Sequence, residues 1–308
     1  MKLTLKHGVV AIILLLSLAS PVAAGPLEDA VAAHNRGDYA TALRLLRPFA
    51  EQGDASSQEL LGSMYAQGKG VPQDYAEAAR WFRMSADQGY AQAQALLGSM
   101  YSLGHGVPQD YTKAAKWLRK AGNQGHAVAE VSLGLIYNNN YNGVPQDFTE
   151  AVKWFRKAAD QGYAQAQTLL GSMYFLGHGV PQDNTEAVKW FRMAADQGEA
   201  DAQAVLGHYY RDGQDTPQDY AEAVKWYRLA ADQGAVEAQY NLGLMYYNGD
   251  GVPQDYVSAH KWFNLAVAGG VKQAATSRDR VALRMTPAQI AEAQRLAREW
   301  KPTKQPTR

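Results

Sequence analysis

The chain of 308 residues contains no cysteine. That absence excludes disulfide scaffolds, zinc ribbons, iron–sulfur centres and cysteine nucleophiles. Neither sign of charge is in excess. With 30 Lys and Arg against 30 Asp and Glu, the chain lacks the basic surplus that marks a nucleic-acid binder. Motifs that carry common chemistry are absent too: no Gly-x-x-x-x-Gly-Lys-Ser/Thr loop, no dinucleotide fingerprint after a strand, no His-Glu-x-x-His. No apolar run of membrane length follows the first two dozen residues. What is present is a 46% hydrophobic composition, too apolar for wholesale disorder.

Residues 1–24 read as a secretory signal peptide. Lys2 and Lys6 supply the charged start, Val9 to Leu18 an uncharged apolar run, and Pro21-Val22-Ala23-Ala24 the small residues before a cut at Ala24–Gly25. The rival reading is an uncleaved N-terminal anchor. No cysteine lies near the cut, so lipid attachment is chemically impossible there. Loss of Lys2 and Lys6 takes the 30 basic groups to 28 against 30 acidic ones, a net charge of −2. The expectation is an exported, soluble protein, periplasmic or secreted.

One unit then recurs six times. Val-Pro-Gln-Asp begins at Val71, Val107, Val144, Val180 and Val252, and Thr216 begins a variant with one change; the intervals are 36, 37, 36, 36 and 36 residues. A fixed period of this size means stacked supersecondary units. Each unit carries two helical patterns. In the first, helix A, Ala93, Leu97 and Tyr101 line one face. Gly98 sits beside it and recurs as Gly62, Gly134, Gly171, Gly207 and Gly243. A helical glycine costs about 1 kcal/mol against alanine, so its recurrence points to another helix in close approach. The second, helix B, starts at an N-cap Asp (Asp74, Asp110, Asp147, Asp183, Asp219). Glu77, Glu150, Glu186 and Glu222 stand three residues on and predict capping boxes. Trp81, Trp117, Trp154, Trp190, Trp226 and Trp262 fill one place in helix B and read as core, large side chains against small Ala and Gly.

The pattern Ala-x-Ala-Gln-x-x-Leu-Gly-x-x-Tyr-x-x-Gly-x-Gly-Val-Pro-Gln-Asp-Tyr-x-x-Ala-x-x-Trp, from Ala91 to Trp117, closely resembles the Sel1-like repeat. The resemblance implies an all-α, right-handed α/α solenoid related to tetratricopeptide repeats, and covers residues 53–269. Two places depart from it: Asn138-Asn139-Asn140-Tyr141-Asn142 replaces the glycine loop and adds one residue, and Gln214-Asp215-Thr216 loses a Gly and the Val. Residues 25–52 read as a degenerate N-terminal helix pair, 270–300 as C-terminal capping helices and 301–308 as a disordered tail. Thr286, Pro287 and Gln289 offer an N-cap, a Pro at the first helical position and a box partner.

The expected chemistry is slight. The histidines are scattered, with His105 and His178 two repeats apart, so no metal and no cofactor is expected. Ser258-Ala259-His260-Lys261 satisfies the Ser-x-x-Lys of penicillin-binding enzymes, yet Ser-Asp-Asn and Lys-Thr-Gly are missing. Lys261 also falls where Lys116, Lys153, Lys189 and Lys225 stand in other repeats, so the match reads as chance and the protein as no enzyme. Positions that differ between repeats point to function, because shared ones are accounted for by packing. They lie on the arc of helix A opposite its core face, which by resemblance lines the concave surface. Early repeats hold small neutral side chains there. The last three carry Phe175, His208, Arg211, Asp212, Tyr240, Leu244, Tyr247 and Asn248, side-chain types that anchor interfaces. These residues are the candidate partner-binding site of a non-catalytic scaffold in the bacterial cell envelope that takes a protein or peptide. The alternatives are a carbohydrate-binding module for exopolysaccharide or peptidoglycan, and a hydrolase, β-lactam-related activity included. Nucleic acid is not an expected partner.

Overall fold

The computed structural model describes residues 25–213 and 217–303, so the expected signal peptide and the departure at 214–216 lie outside the described residues. Among those residues it is all-helical, with no strand. The helices are α1 (Pro26–Asn35), α2 (Tyr39–Glu51), α3 (Ala55–Gln67), α4 (Tyr75–Asp87), α5 (Ala91–Leu103), α6 (Tyr111–Gly122), α7 (Ala127–Asn138), α8 (Phe148–Asp160), α9 (Ala164–Leu176), α10 (Asn184–Asp196), α11 (Ala200–Asp212), α12 (Tyr220–Asp232), α13 (Val236–Asn248), α14 (Tyr256–Ala268), α15 (Lys272–Ala282) and α16 (Pro287–Glu299). Each helix from α1 to α15 packs mainly on its chain neighbours. The molecule is therefore an α/α solenoid, in which odd-numbered helices from α3 to α13 are A helices and their successors B helices.

Within a pair, the helical glycine is the seat the sequence predicts, but its occupant is not the tryptophan. A Cβ on Gly171 would lie 2.9 Å from the Phe191 ring, one on Gly134 2.5 Å from Phe155 and one on Gly98 2.7 Å from Leu118. The residue after each Trp thus presses onto the glycine of its own A helix. The tryptophans pack instead between successive B helices: the Trp154 ring would lie 3.0 Å from a Cβ on Gly122 of α6.

Three contacts recur between pairs. Buried Gln94 donates to the carbonyl of Ala86 at 3.1 Å and accepts from Gln124 at 2.9 Å; Gln58, Gln167 and Gln203 repeat both bonds. Buried amides satisfied in this way fix register as well as stability. Second, an Arg of α2 and of each B helix from α4 to α12 donates to a Tyr hydroxyl of the next A helix, Arg47 to Tyr65 at 2.9 Å and likewise Arg83 to Tyr101, Arg156 to Tyr174 and Arg228 to Tyr246. Third, the A–B loop leans on the preceding B helix. Gly106, at φ +67°, lies so close that a Cβ would meet the Tyr75 carbonyl oxygen at 2.1 Å, and His105 stacks on the Tyr75 ring at 4.8 Å. Only glycine fits such a left-handed, crowded position.

The cap aspartates behave as expected, Asp147 accepting from Glu150 N–H at 2.9 Å. The predicted capping boxes do not form in these helices. The Asp147 N–H already donates to the Tyr137 carbonyl at 2.8 Å, and Asp74, Asp183 and Asp219 do the same to Tyr65, Tyr174 and Tyr210. The glutamates have no free donor to reach back for. They turn to the next turn's cation: Glu150 to Lys153 at 3.1 Å, Glu186 to Lys189 at 3.0 Å and Glu222 to Lys225 at 2.8 Å. A complete box does form at Thr286 and Gln289. At the C-terminal end α16 packs on α14, with Trp300 edge-on to Trp262. Thr303 N–H donates to the Asp232 carbonyl at 2.7 Å, while residues 304–308 lie outside the described residues.

Candidate functional site

The A-helix arc singled out by repeat differences gathers into two groups near the C-terminal end. In the first, the Arg211 guanidinium donates to both carboxylate oxygens of Asp212, at 2.6 and 3.1 Å, and to Asn241 Oδ1 of the next A helix at 2.7 Å. His208 stands edge-on to the Tyr227 ring, centroids 5.3 Å apart. Burial, helped by the Arg211 charge, holds the His208 imidazole below its ordinary pKa. The Arg211 fork holds the Asp212 carboxyl below its ordinary range.

Tyr227 and Asn241 are members of this group that the sequence reading missed. Tyr227 takes the seat on Gly207 that phenylalanine holds in four other repeats, and it is fully buried. Its hydroxyl has no hydrogen-bond partner among the described residues, and burial pushes its pKa up. A tyrosine where repeats place phenylalanine was the available clue. Asn241 was hidden because its place lies beside the variable arc rather than on it.

In the second group, Tyr240, Leu244 and Tyr247 are half-buried and pack, with Met285 of the turn before α16, against Ala259 and Phe263 of α14 and Val281 of α15. Tyr247 leans on Tyr256 at 5.9 Å, and the Arg284 guanidinium sits over the Tyr247 ring. Much of their ring surface is thus already engaged inside the fold. Asn248 is exposed and donates to Asp250 at 2.9 Å. Phe175, one pair earlier, packs against the cluster of Phe191 and Leu206 and is half-buried. The structure brings His208, Arg211 and Asp212 together and groups Tyr240, Leu244 and Tyr247. It shows no bond from Phe175 to either group.

Both polar residues of the Ser-x-x-Lys match are engaged elsewhere. The Ser258 hydroxyl donates to the cap carboxylate of Asp255 at 2.7 Å, and the Lys261 ammonium lies 4.2 Å above the Trp262 ring. Among the described residues there is no cluster of His, Asp and Glu with metal-binding geometry, and no helix long and apolar enough to cross a membrane.

A run of paired helices with interlocking glycine, glutamine and Arg–Tyr contacts defines an α/α repeat solenoid. The model of the Sel1 repeat matches it over residues 35–54, 55–90, 91–126, 127–163, 164–199, 200–234 and 236–271. The chain belongs to the Sel1 repeat family. Its first matched segment, 35–54, falls largely within residues 25–52, which the sequence reads as a degenerate N-terminal pair. Among solved structures, it is similar to a Sel1 repeat protein from Oxalobacter formigenes, with 30% identity, 79% of this chain and 97% of that one covered, and a TM-score of 0.72. It is also similar to a protein described as a protective antigen present in uropathogenic Escherichia coli strains, with 31% identity, coverage of 88% and 67%, and a TM-score of 0.57. No curated protein matches.

Proposed function

We propose that this protein is an exported, non-catalytic scaffold that binds a protein or peptide partner along its A-helix face, in the periplasm of a bacterial envelope. Sel1 repeat proteins are in general protein-interaction scaffolds. The observation that carries the reading is the contrast between faces. Shared residues hold pair to pair, whereas the A-helix arc varies and collects His208, Arg211 and Asp212 with the rings of Tyr240 and Tyr247. The A helices also approach one another, α5 to α7 and α11 to α13, as the inner side of a curved stack does. A protein partner is favoured over a sugar because Tyr240 and Tyr247 lean on Phe263 and Tyr256. They do not form a regular row of free rings.

Cross-linking of the protein in its native envelope, with identification of what is attached, supplies the partner. Affinity for it is then compared for Arg211→Ala and for Tyr240→Ala with Tyr247→Ala. Weaker binding at unchanged helicity supports this face; unchanged affinity in both variants removes it. Export is checked separately: periplasmic material should begin at Gly25, and an intact Met1 start in the cytoplasm defeats that part.

A further inference from the structure

Every B helix from α4 to α12 except α6 repeats one charge pattern. An acid stands third (Glu77, Glu150, Glu186, Glu222), a cation sixth, an arginine ninth and an acid thirteenth (Asp87, Asp160, Asp196, Asp232). The third and sixth residues pair, from Arg80–Glu77 at 3.4 Å to Lys225–Glu222 at 2.8 Å. Helix α6 breaks the pattern at both acids. Lys113 stands third and turns back to Asp110 at 3.0 Å, and Asn123 stands thirteenth; Lys120, which α6 shares with α8 as Lys157, is here left without those acids. Lys116 and Lys120 are left exposed, with no carboxylate partner among the described residues. Arg119 is held in place by donating to the Tyr137 hydroxyl, and Lys120 lies 4.1 Å above the Trp117 ring.

The repeat's other departure falls at the same spot. The longer turn after α7 is closed by a bridge between Tyr141 and Val144 and anchored by Tyr141 stacked on Tyr111 at 3.9 Å. It is tied to α6 where the Thr112 hydroxyl donates to the Gly143 carbonyl at 3.3 Å. Between this turn and α6 lies an open pocket of about 500 Å³. Lys116, Arg119 and Lys120 line it, Ala115 and Val144 give it apolar surface, and no Asp or Glu takes part. The two irregularities together make a cationic pocket with an apolar floor that no regular repeat of this chain would have.

We propose that this pocket binds an acidic polypeptide segment, seating an apolar side chain on Ala115 and Val144 with flanking carboxylates on Lys116, Arg119 and Lys120. Charge complementarity selects an acidic ligand, and the apolar floor selects a polypeptide over a uronate polysaccharide or a nucleic acid, neither of which offers a side chain to fill it. Because the whole chain is near neutral, attraction is local and weakens with salt. The site lies on the B-helix side, so it stands or falls independently of the A-helix face.

The probe is a fluorescein-labelled Asp-Glu-Asp-Leu-Glu-Asp-Glu peptide, read by anisotropy with the full chain. The informative variant is Lys113→Glu with Asn123→Asp, which gives α6 the residues its sister helices already carry and is therefore expected to fold. Lys189→Glu in α10 is the control, and Asn123→Asp alone is read if the double variant loses helicity. The double variant should bind about tenfold more weakly, and Lys189→Glu within about twofold of the parent. Replacing the peptide's Leu by Ser should weaken binding as well. The proposal is overturned by no binding to the parent chain, by equal binding to the double variant, or by equal loss in Lys189→Glu. It is also overturned if oligogalacturonate or oligo-dT of matched charge binds as tightly as the peptide.

Discussion

At the scale of single residues, helical glycines here invert the usual rule. Gly to Ala in a helix ordinarily stabilises by about 1 kcal/mol. A Cβ on Gly207 would lie 2.5 Å from the Tyr227 ring, so Gly207→Ala should instead destabilise by about 1–3 kcal/mol, seen as a lower urea midpoint. Glu130 makes the opposite case. It stands where other repeats place the buried glutamine, is 2% exposed, and accepts from Gln161 at 2.6 Å. As a carboxylate it has no N–H for the Gly122 carbonyl, and burial raises its pKa. A raised carboxyl pKa costs stability above the folded value, and the cost vanishes below the unfolded value of about 4.3. Glu130→Gln should therefore stabilise by about 1 kcal/mol near neutral pH, with the gain fading as pH falls to about 4. Urea unfolding at both pH values checks the sign; an equal gain at both would show that charge is not the cause.

At the scale of helices, Asp183 receives Glu186 N–H at 2.9 Å with no box to share the work. Asp183→Ala should cost about 1 kcal/mol, and hydrogen exchange should quicken first in the opening turn of α10. Much of this level was legible: Pro-Gln-Asp marked where every B helix starts, and the loop glycines where every A helix but α7 stops. The box was misread because sequence spacing cannot show that the cap N–H is already committed to a tyrosine carbonyl of the A helix. The seat was half legible for a related reason. Gly171 announced a close approach, but Trp190 and Phe191 are adjacent and both inward, and only packing tells which goes to its own A helix and which to the neighbouring repeat. On the candidate face the variable arc found His208 and Arg211, which do meet. It overlooked Tyr227, since a ring in a core position reads as core whether or not it carries a hydroxyl.

At the scale of the whole molecule, the period of 36 residues dictated an open stack before any geometry was known, because contacts can then run only to neighbours. The ends need covers, and α16 serves as one, its Trp300 against Trp262. A chain ending at Arg284 should melt at lower temperature and self-associate, read by light scattering; an unchanged monomer of the same melting temperature would show that α16 covers nothing. The rungs between pairs carry a last consequence. Arg156 reaches Tyr174 and Gln197 reaches Gln167, and nearly every copy brings both the donor for one side and the acceptor for the other. A tandem duplication in the gene would therefore deliver a segment whose two flanks already mate with what surrounds it. Such a chain can grow or shrink by whole units over evolutionary time without inventing a single new junction.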